Sequence, residues 1–108
     1  MDQDIRAAIE LYQKALEAFG IHVHNVILYG SQVDGSAKEH SDIDVVVVSD
    51  DFEGMNVVER LEGIGTAAAH AGITEPIEAL AYTVAEYEAM GPGTFVGQEV
   101  KPKGIVVT

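Results

Sequence analysis

The feature of this sequence that most restricts its fold is a pair of hydrophobic runs joined by a polar loop. The first run, residues 21–29, ends at Gly30-Ser31; the second, residues 43–48, is entered through Asp42-Ile43-Asp44. Four consecutive valines, Val45 to Val48, mark the second run as a buried strand. Asp42 and Asp44 stand two residues apart at its head, so both carboxylates leave the same face while Ile43 turns into the core. Carboxylates this close repel by about 4 kcal/mol at an effective dielectric near 20. A divalent cation converts that repulsion into attraction, and oxygen donors suit Mg²⁺ or Mn²⁺. At the other end of the loop, Gly30 lets the backbone turn tightly and approach a ligand. If Ser31 opens a helical turn, its N–H and hydroxyl can hold phosphate oxygens. Each half also has a plainer reading: a solvated strand entrance for the aspartates, an ordinary turn for Gly-Ser.

The rest of the chain reads as support for that stretch. In residues 3–19, Ile5, Ala8, Ile9, Tyr12, Leu16 and Phe19 recur at helical spacing, with Asp2 or Asp4 to cap the start and Gly20 to stop it. Residues 21–29 read as a strand. His22 and His24 would then share a face and could meet one metal, but with no third ligand nearby an exposed polar face is the better reading. Asp50 and Asp51 follow the valine strand, where caps are favoured over metal ligands. A helix is expected over about 55–71, with Val58, Leu61, Ile64 and Ala68 inward and Asn56 and Glu59 spaced as a capping box. Gly63 and Gly65 each cost it about 1 kcal/mol, so a bend or break is expected there. Residues 76–82 read as a third strand with Pro76 at its start or on an edge. Thr83 and Glu86 form a second capping-box spacing that opens a short helix to about Met90. After the Gly91-Pro92-Gly93 break come a short helical stretch around 95–100 and a last strand at 105–107. This alternation predicts an α/β (α+β) sandwich, a single domain over residues 1–108 with helices covering one sheet of about four strands.

Charge removes whole classes of function. The net charge is −12, from 18 acidic and 6 basic residues, and the cations are scattered. A nucleic-acid binder needs a basic face to displace counterions, so long nucleic acid is not expected as a partner of this chain alone. A nucleotide remains open if a metal neutralises its phosphates. With no cysteine there is no disulfide framework and no thiolate zinc site. No apolar run reaches the roughly 18 residues that span a bilayer, and no signal peptide is visible, so no membrane partner is expected and the cytoplasm is the default location.

The combination is more specific than its parts. Gly30-Ser31, ten intervening residues, then Asp42-Ile43-Asp44 closely resembles the signature of minimal nucleotidyltransferases, in the DNA polymerase β-like superfamily, and Gly35, Ser41 and Ile43 also fit. The resemblance runs from about Val26 to Val48, resumes around Ile77–Met90, and in element order covers nearly the whole chain. It implies the nucleotidyltransferase fold with a mixed sheet. It also implies a site in which Asp42, Asp44 and a third carboxylate, here Glu78, hold two Mg²⁺ ions, with Mn²⁺ as an alternative. Glu78 would also help activate the attacking hydroxyl. Gly30 and Ser31 would hold the triphosphate, with Gln32 and Ser41 as further nucleotide-binding positions. The family commonly has aspartate where this chain has Glu78, and many members carry arginine where it has Gln32. Lys38 in the same loop could replace that cation, although a solvated loop lysine is the better reading; Glu75 is an alternative carboxylate that strand parity turns away from Glu78; and His40 is a further candidate for touching substrate.

The resemblance also implies a biological setting. Stand-alone minimal domains are often paired with a helical HEPN toxin and act as its antitoxin, adding AMP from ATP to a toxin tyrosine. An acidic surface suits a protein acceptor better than a nucleic acid. The alternative is a catalytically weak module of the same fold that neutralises its partner by covering it. A small-molecule nucleotidylating enzyme is a third reading, but 108 residues leave no second domain for the acceptor, so it would need a homo-oligomer.

Overall fold

The computed structural model describes residues 2–38 and 41–108. The valine run forms β2 (Ile43–Val48), which lies inside a four-stranded sheet of order β3-β2-β1-β4. β1 (Asn25–Tyr29) runs antiparallel to β2, β3 (Ile77–Tyr82) runs parallel to β2, and the two-residue β4 (Ile105–Val106) closes the far edge antiparallel to β1. The sheet is mixed, as expected.

Both faces of β1 and β2 are covered, which is why these strands read as continuous hydrophobic runs. Val26, Leu28, Val45 and Val47 pack on one face against α1 (Gln3–Ala18) and α3 (Val57–His70), through Ile9, Tyr12, Leu16, Ile64 and Ala67. Ile27, Val46 and Val48 pack on the other, under Val96 and Val100 of a single π-helical turn (Val96–Val100) and beside Val84 and Tyr87 of α4 (Val84–Ala89). Between β1 and β2 lies α2 (Ser31–Asp34), the one-turn helix expected after Gly30. Among the described residues no helix is long and apolar enough to cross a membrane.

The caps fall where the sequence places them. Asp2 accepts from the N–H groups of Asp4 and Ile5, and both Asn56–Glu59 and Thr83–Glu86 close complete capping boxes. Four expectations change. Strand β1 begins at Asn25 rather than residue 21, because side chains take the preceding backbone: His22 N–H donates to Asp51, His22 C=O accepts from Ser49, and Val23 N–H donates to Glu17. The inner face of α3 is turned from the expected one. Arg60, Ile64 and Ala67 are buried, while Val58 and Leu61 are 62% and 44% exposed. Phe19 caps α1 outside the core, 45% exposed and tilted against His70. Gly63 and Gly65 leave α3 unbroken. The capping box and the buried Ile64 and Ala67 hold that helix through them.

Candidate active site

Strand register builds the site. Tyr29 of β1, Asp44 of β2 and Glu78 of β3 are cross-strand neighbours, and neighbours across a ladder share a face. It is the face of Ile27, Val46 and Leu80, at the end of the sheet where β2 begins. Asp42 lies just before β2, and Ile43 N–H beyond it donates to Pro76 C=O, fixing the strand entrance against the start of β3. Gly30 completes the arrangement. Its φ is +77°, a conformation that glycine tolerates, and a Cβ there would stand 2.7 Å from Oδ2 of Asp44. The Gly30 carbonyl accepts from the N–H groups of Val33 and Asp34, which folds α2 back beside the carboxylates.

The carboxylates feel one another. Partial burial first, and then the charge of Asp42, pushes the Asp44 carboxyl above its ordinary range. Glu78 is raised as well, by the charge of Asp42, by a hydrogen bond with the Asp42 carboxyl, and further by Asp44. That mutual repulsion is the condition a divalent cation relieves, and an all-oxygen donor set is what Mg²⁺ or Mn²⁺ takes. Among the described residues no three His, Asp or Glu side chains stand ready-made around a metal position. Glu78 instead reaches across to Asp42. Tyr29 is pushed up to about 12, by burial and then by Asp44, Tyr82 and Glu78, so its phenol stays neutral beside the acidic group.

The remaining candidates divide. Ser31 is the first residue of α2, next to Gly30. Gln32, Lys38 and Ser41 line a different groove of about 540 Å³, with Ile43, Glu75 and Asp4. Ile43, which lines that groove with them, points away from the face of Asp44. Ser41 Oγ accepts from the Lys38 N–H, which makes it a loop-closing residue. Glu75 sits in the same groove, apart from Glu78. His40 lies outside the described residues. The histidine pair is not assembled: His22 is held by Asp51 at 2.9 Å, ahead of the strand. Asp50 and Asp51 act as caps and ties, Asp50 accepting from Val84 N–H at the start of α4. Tyr29 carried no separate signal in the sequence beyond its parity; its place beside Asp44 needs the strand register.

With this geometry in hand, comparison with known proteins decides the family. The family model described as the nucleotidyltransferase domain matches residues 9–103. The chain belongs to that family. No functionally curated protein matches the sequence closely enough to lend it a specific activity. Among solved structures, a provisionally assigned nucleotidyltransferase from Sulfolobus solfataricus superposes with a TM-score of 0.64 at 20% identity, covering 94% of this chain and 77% of that one. A toxin–antitoxin crystal structure with AMP-PNP superposes with a TM-score of 0.61 at 18% identity, covering 95% and 72%. At those identities the two structures speak for the nucleotidyltransferase fold.

Proposed function

We propose that this chain transfers a nucleoside monophosphate, AMP from ATP, onto a hydroxyl. The expected acceptor is a tyrosine of a HEPN-type toxin partner, for which the chain acts as antitoxin. The observation that carries this reading is the cross-strand register that sets Glu78 beside Asp44 and within hydrogen-bonding reach of Asp42. Membership of the nucleotidyltransferase domain family supports it, and so does the shared fold with a toxin–antitoxin protein holding AMP-PNP. Mg²⁺ bound by Asp42, Asp44 and Glu78 would supply charge neutralisation for the attacking and leaving oxygens. Around it, Gly30 and Ser31 admit the phosphates close to the backbone, and Asp42 and Asp44 would hold the donor only through the bound cation, since bare carboxylates repel phosphate. Glu78, beside Asp44 on the neighbouring strand, takes the proton of the attacking hydroxyl. The new bond forms at the α-phosphorus as pyrophosphate leaves. The test is incubation with labelled ATP, Mg²⁺ and a candidate HEPN-type partner. Label on the partner is expected, and transfer no greater than that of an Asp42→Asn, Asp44→Asn control overturns the reading.

One observation favours a second reading. Without a preassembled trio of ligands among the described residues, the chain could serve as a catalytically weak module that neutralises its partner by covering it. That reading requires Asp42→Ala to neutralise the partner as well as the wild type does, whereas enzymatic neutralisation requires that it fail.

A further inference from the structure

Beside the carboxylates stands an aromatic side chain that the fold does not use. Phe95 is 55% exposed, yet the backbone on either side of it is held in place. It leads directly into the π turn, whose Val96 and Val100 are buried under the sheet. The Thr94 hydroxyl donates to Gly91 C=O at 2.8 Å and accepts from Gly97 N–H at 2.9 Å. Gly97 packs so tightly on the Gly91 carbonyl that no Cβ fits there. At the far end of the turn, Lys101 Nζ donates to Met90 C=O at 2.6 Å. A loop closed this tightly presents a large apolar ring to water in a fixed place. Single π turns of this kind are frequent at functional sites.

The position of the ring is informative. Phe95 meets Tyr29 edge-on, with centroids 5.7 Å apart and planes at 75°, so Tyr29 braces it without covering it. Tyr29 is the cross-strand neighbour of Asp44, which is in turn the neighbour of Glu78. The order of contacts is therefore Phe95, Tyr29, Asp44, Glu78. Tyr29 touches the Phe95 ring and neighbours Asp44 across the ladder, so the exposed ring and the carboxylates lie around a single side chain.

We propose that Phe95, braced edge-on by Tyr29, is the stacking platform for the nucleobase of the donor nucleotide. This rests on the reading that Asp42, Asp44 and Gly30-Ser31 hold the donor's phosphates. Stacking uses the π-face that every base has, so the platform adds affinity without choosing the base.

The test compares ATP with inorganic tripolyphosphate, each with Mg²⁺, by titration calorimetry on the full chain. Wild type is expected to bind ATP more tightly than tripolyphosphate, and Phe95→Ala to weaken ATP about 5- to 150-fold while leaving tripolyphosphate unchanged. The chain has no tryptophan, so the indole introduced by Phe95→Trp is a single reporter, and ATP, but not tripolyphosphate, should quench it. If wild type binds tripolyphosphate as tightly as ATP, or if Phe95→Ala weakens both equally, the platform is overturned while the phosphate site stands. If wild type binds neither, the phosphate-site reading falls together with the platform. Loss of partner binding in Phe95→Ala with ATP affinity intact overturns the platform and gives the ring to a protein interface.

Discussion

Gly30 and Asp44 are in contact across the end of the sheet: a Cβ on Gly30 would stand 2.7 Å from Oδ2 of the aspartate. The polar loop therefore leaves β1 through the one residue type that lets the carboxylate stay where it is. Gly30→Ala meets two penalties, a backbone at φ +77° and ψ −148° that is almost exclusive to glycine and costs other residues about 1–3 kcal/mol, and a collision that pushes the Asp44 carboxylate aside. Displacing a reacting group by about 1 Å costs on the order of a hundredfold in rate. The variant should remain folded with a lowered thermal midpoint, and its transfer activity should fall by at least that factor. A Gly30→Ala protein with wild-type activity would separate the glycine from the site.

The acidic cluster should trade stability for function. Asp44 is raised in the folded chain, so below its unfolded value of about 3.9 it is neutral in both states and costs nothing. As pH rises through the folded value, folding must hold an ionised carboxylate beside Asp42. Asp44→Asn should therefore stabilise the metal-free protein at neutral pH, by up to about 1 kcal/mol, with the gain vanishing near pH 3. Adding Mg²⁺ or Mn²⁺ at about 100 times its dissociation constant should stabilise the wild type by about 2.7 kcal/mol and leave Asp44→Asn unmoved. Thermal melts with and without metal, across pH, check both signs.

Glu78 stands where the family commonly has aspartate, and here its length suits the backbone. β3 holds its Cα in register with Asp44, yet its carboxyl reaches Asp42, before the strand begins. Shortening it by one methylene withdraws the carboxyl by about 1 Å, so Glu78→Asp should lose on the order of a hundredfold in rate, and Glu78→Gln at least as much. The two part in pH behaviour: both should keep the acid limb that Asp44 contributes, but it should be less steep in Glu78→Gln, which has one titrating carboxylate fewer. Full activity in Glu78→Gln would remove this side chain from the chemistry.

Much of this was legible in the chain because local rules and the fold agree. The valine run became a central strand, both capping boxes closed, and Gly30-Ser31 opened the one-turn α2. What stayed hidden depends on partners distant in sequence. Val58 and Leu61 have helical spacing but face outward, because the charged Arg60 takes the inner face through a partner 26 residues away. Strand β1 starts late because Asp51 and Ser49 claim the backbone of His22. Gln32 and Ser41 sit in the signature loop but turn into another groove, since the loop's path around Ile43 is not written in its spacing. The row from Phe95 to Glu78 exists only once three strands are in register.

Arg60 shows what its buried guanidinium is for. Only 8% exposed, it donates to both oxygens of Glu86, at 2.6 and 3.1 Å, and to the backbone carbonyls of Met55 and Ala81. It thus ties α3 to the end of β3 and to the cap of α4, next to the strand that carries Glu78. These bonds, with the Thr83 N–H, bring the Glu86 carboxyl down to about 2 from 4.5. A depressed carboxylate stabilises the fold above its unfolded value and loses that contribution as pH falls toward the folded one. Glu86→Gln should therefore destabilise the protein by about 1–2 kcal/mol at neutral pH, since Glu86 is half-exposed while its partner is buried. The gap to wild type should close between about pH 4.5 and pH 2. Glu99→Gln, which breaks the exposed Lys103 pair, should move stability by less than about 0.5 kcal/mol. Urea unfolding of the three proteins across that range decides it: a constant gap for Glu86→Gln would mean that the carboxylate's charge is not what holds Arg60 in place.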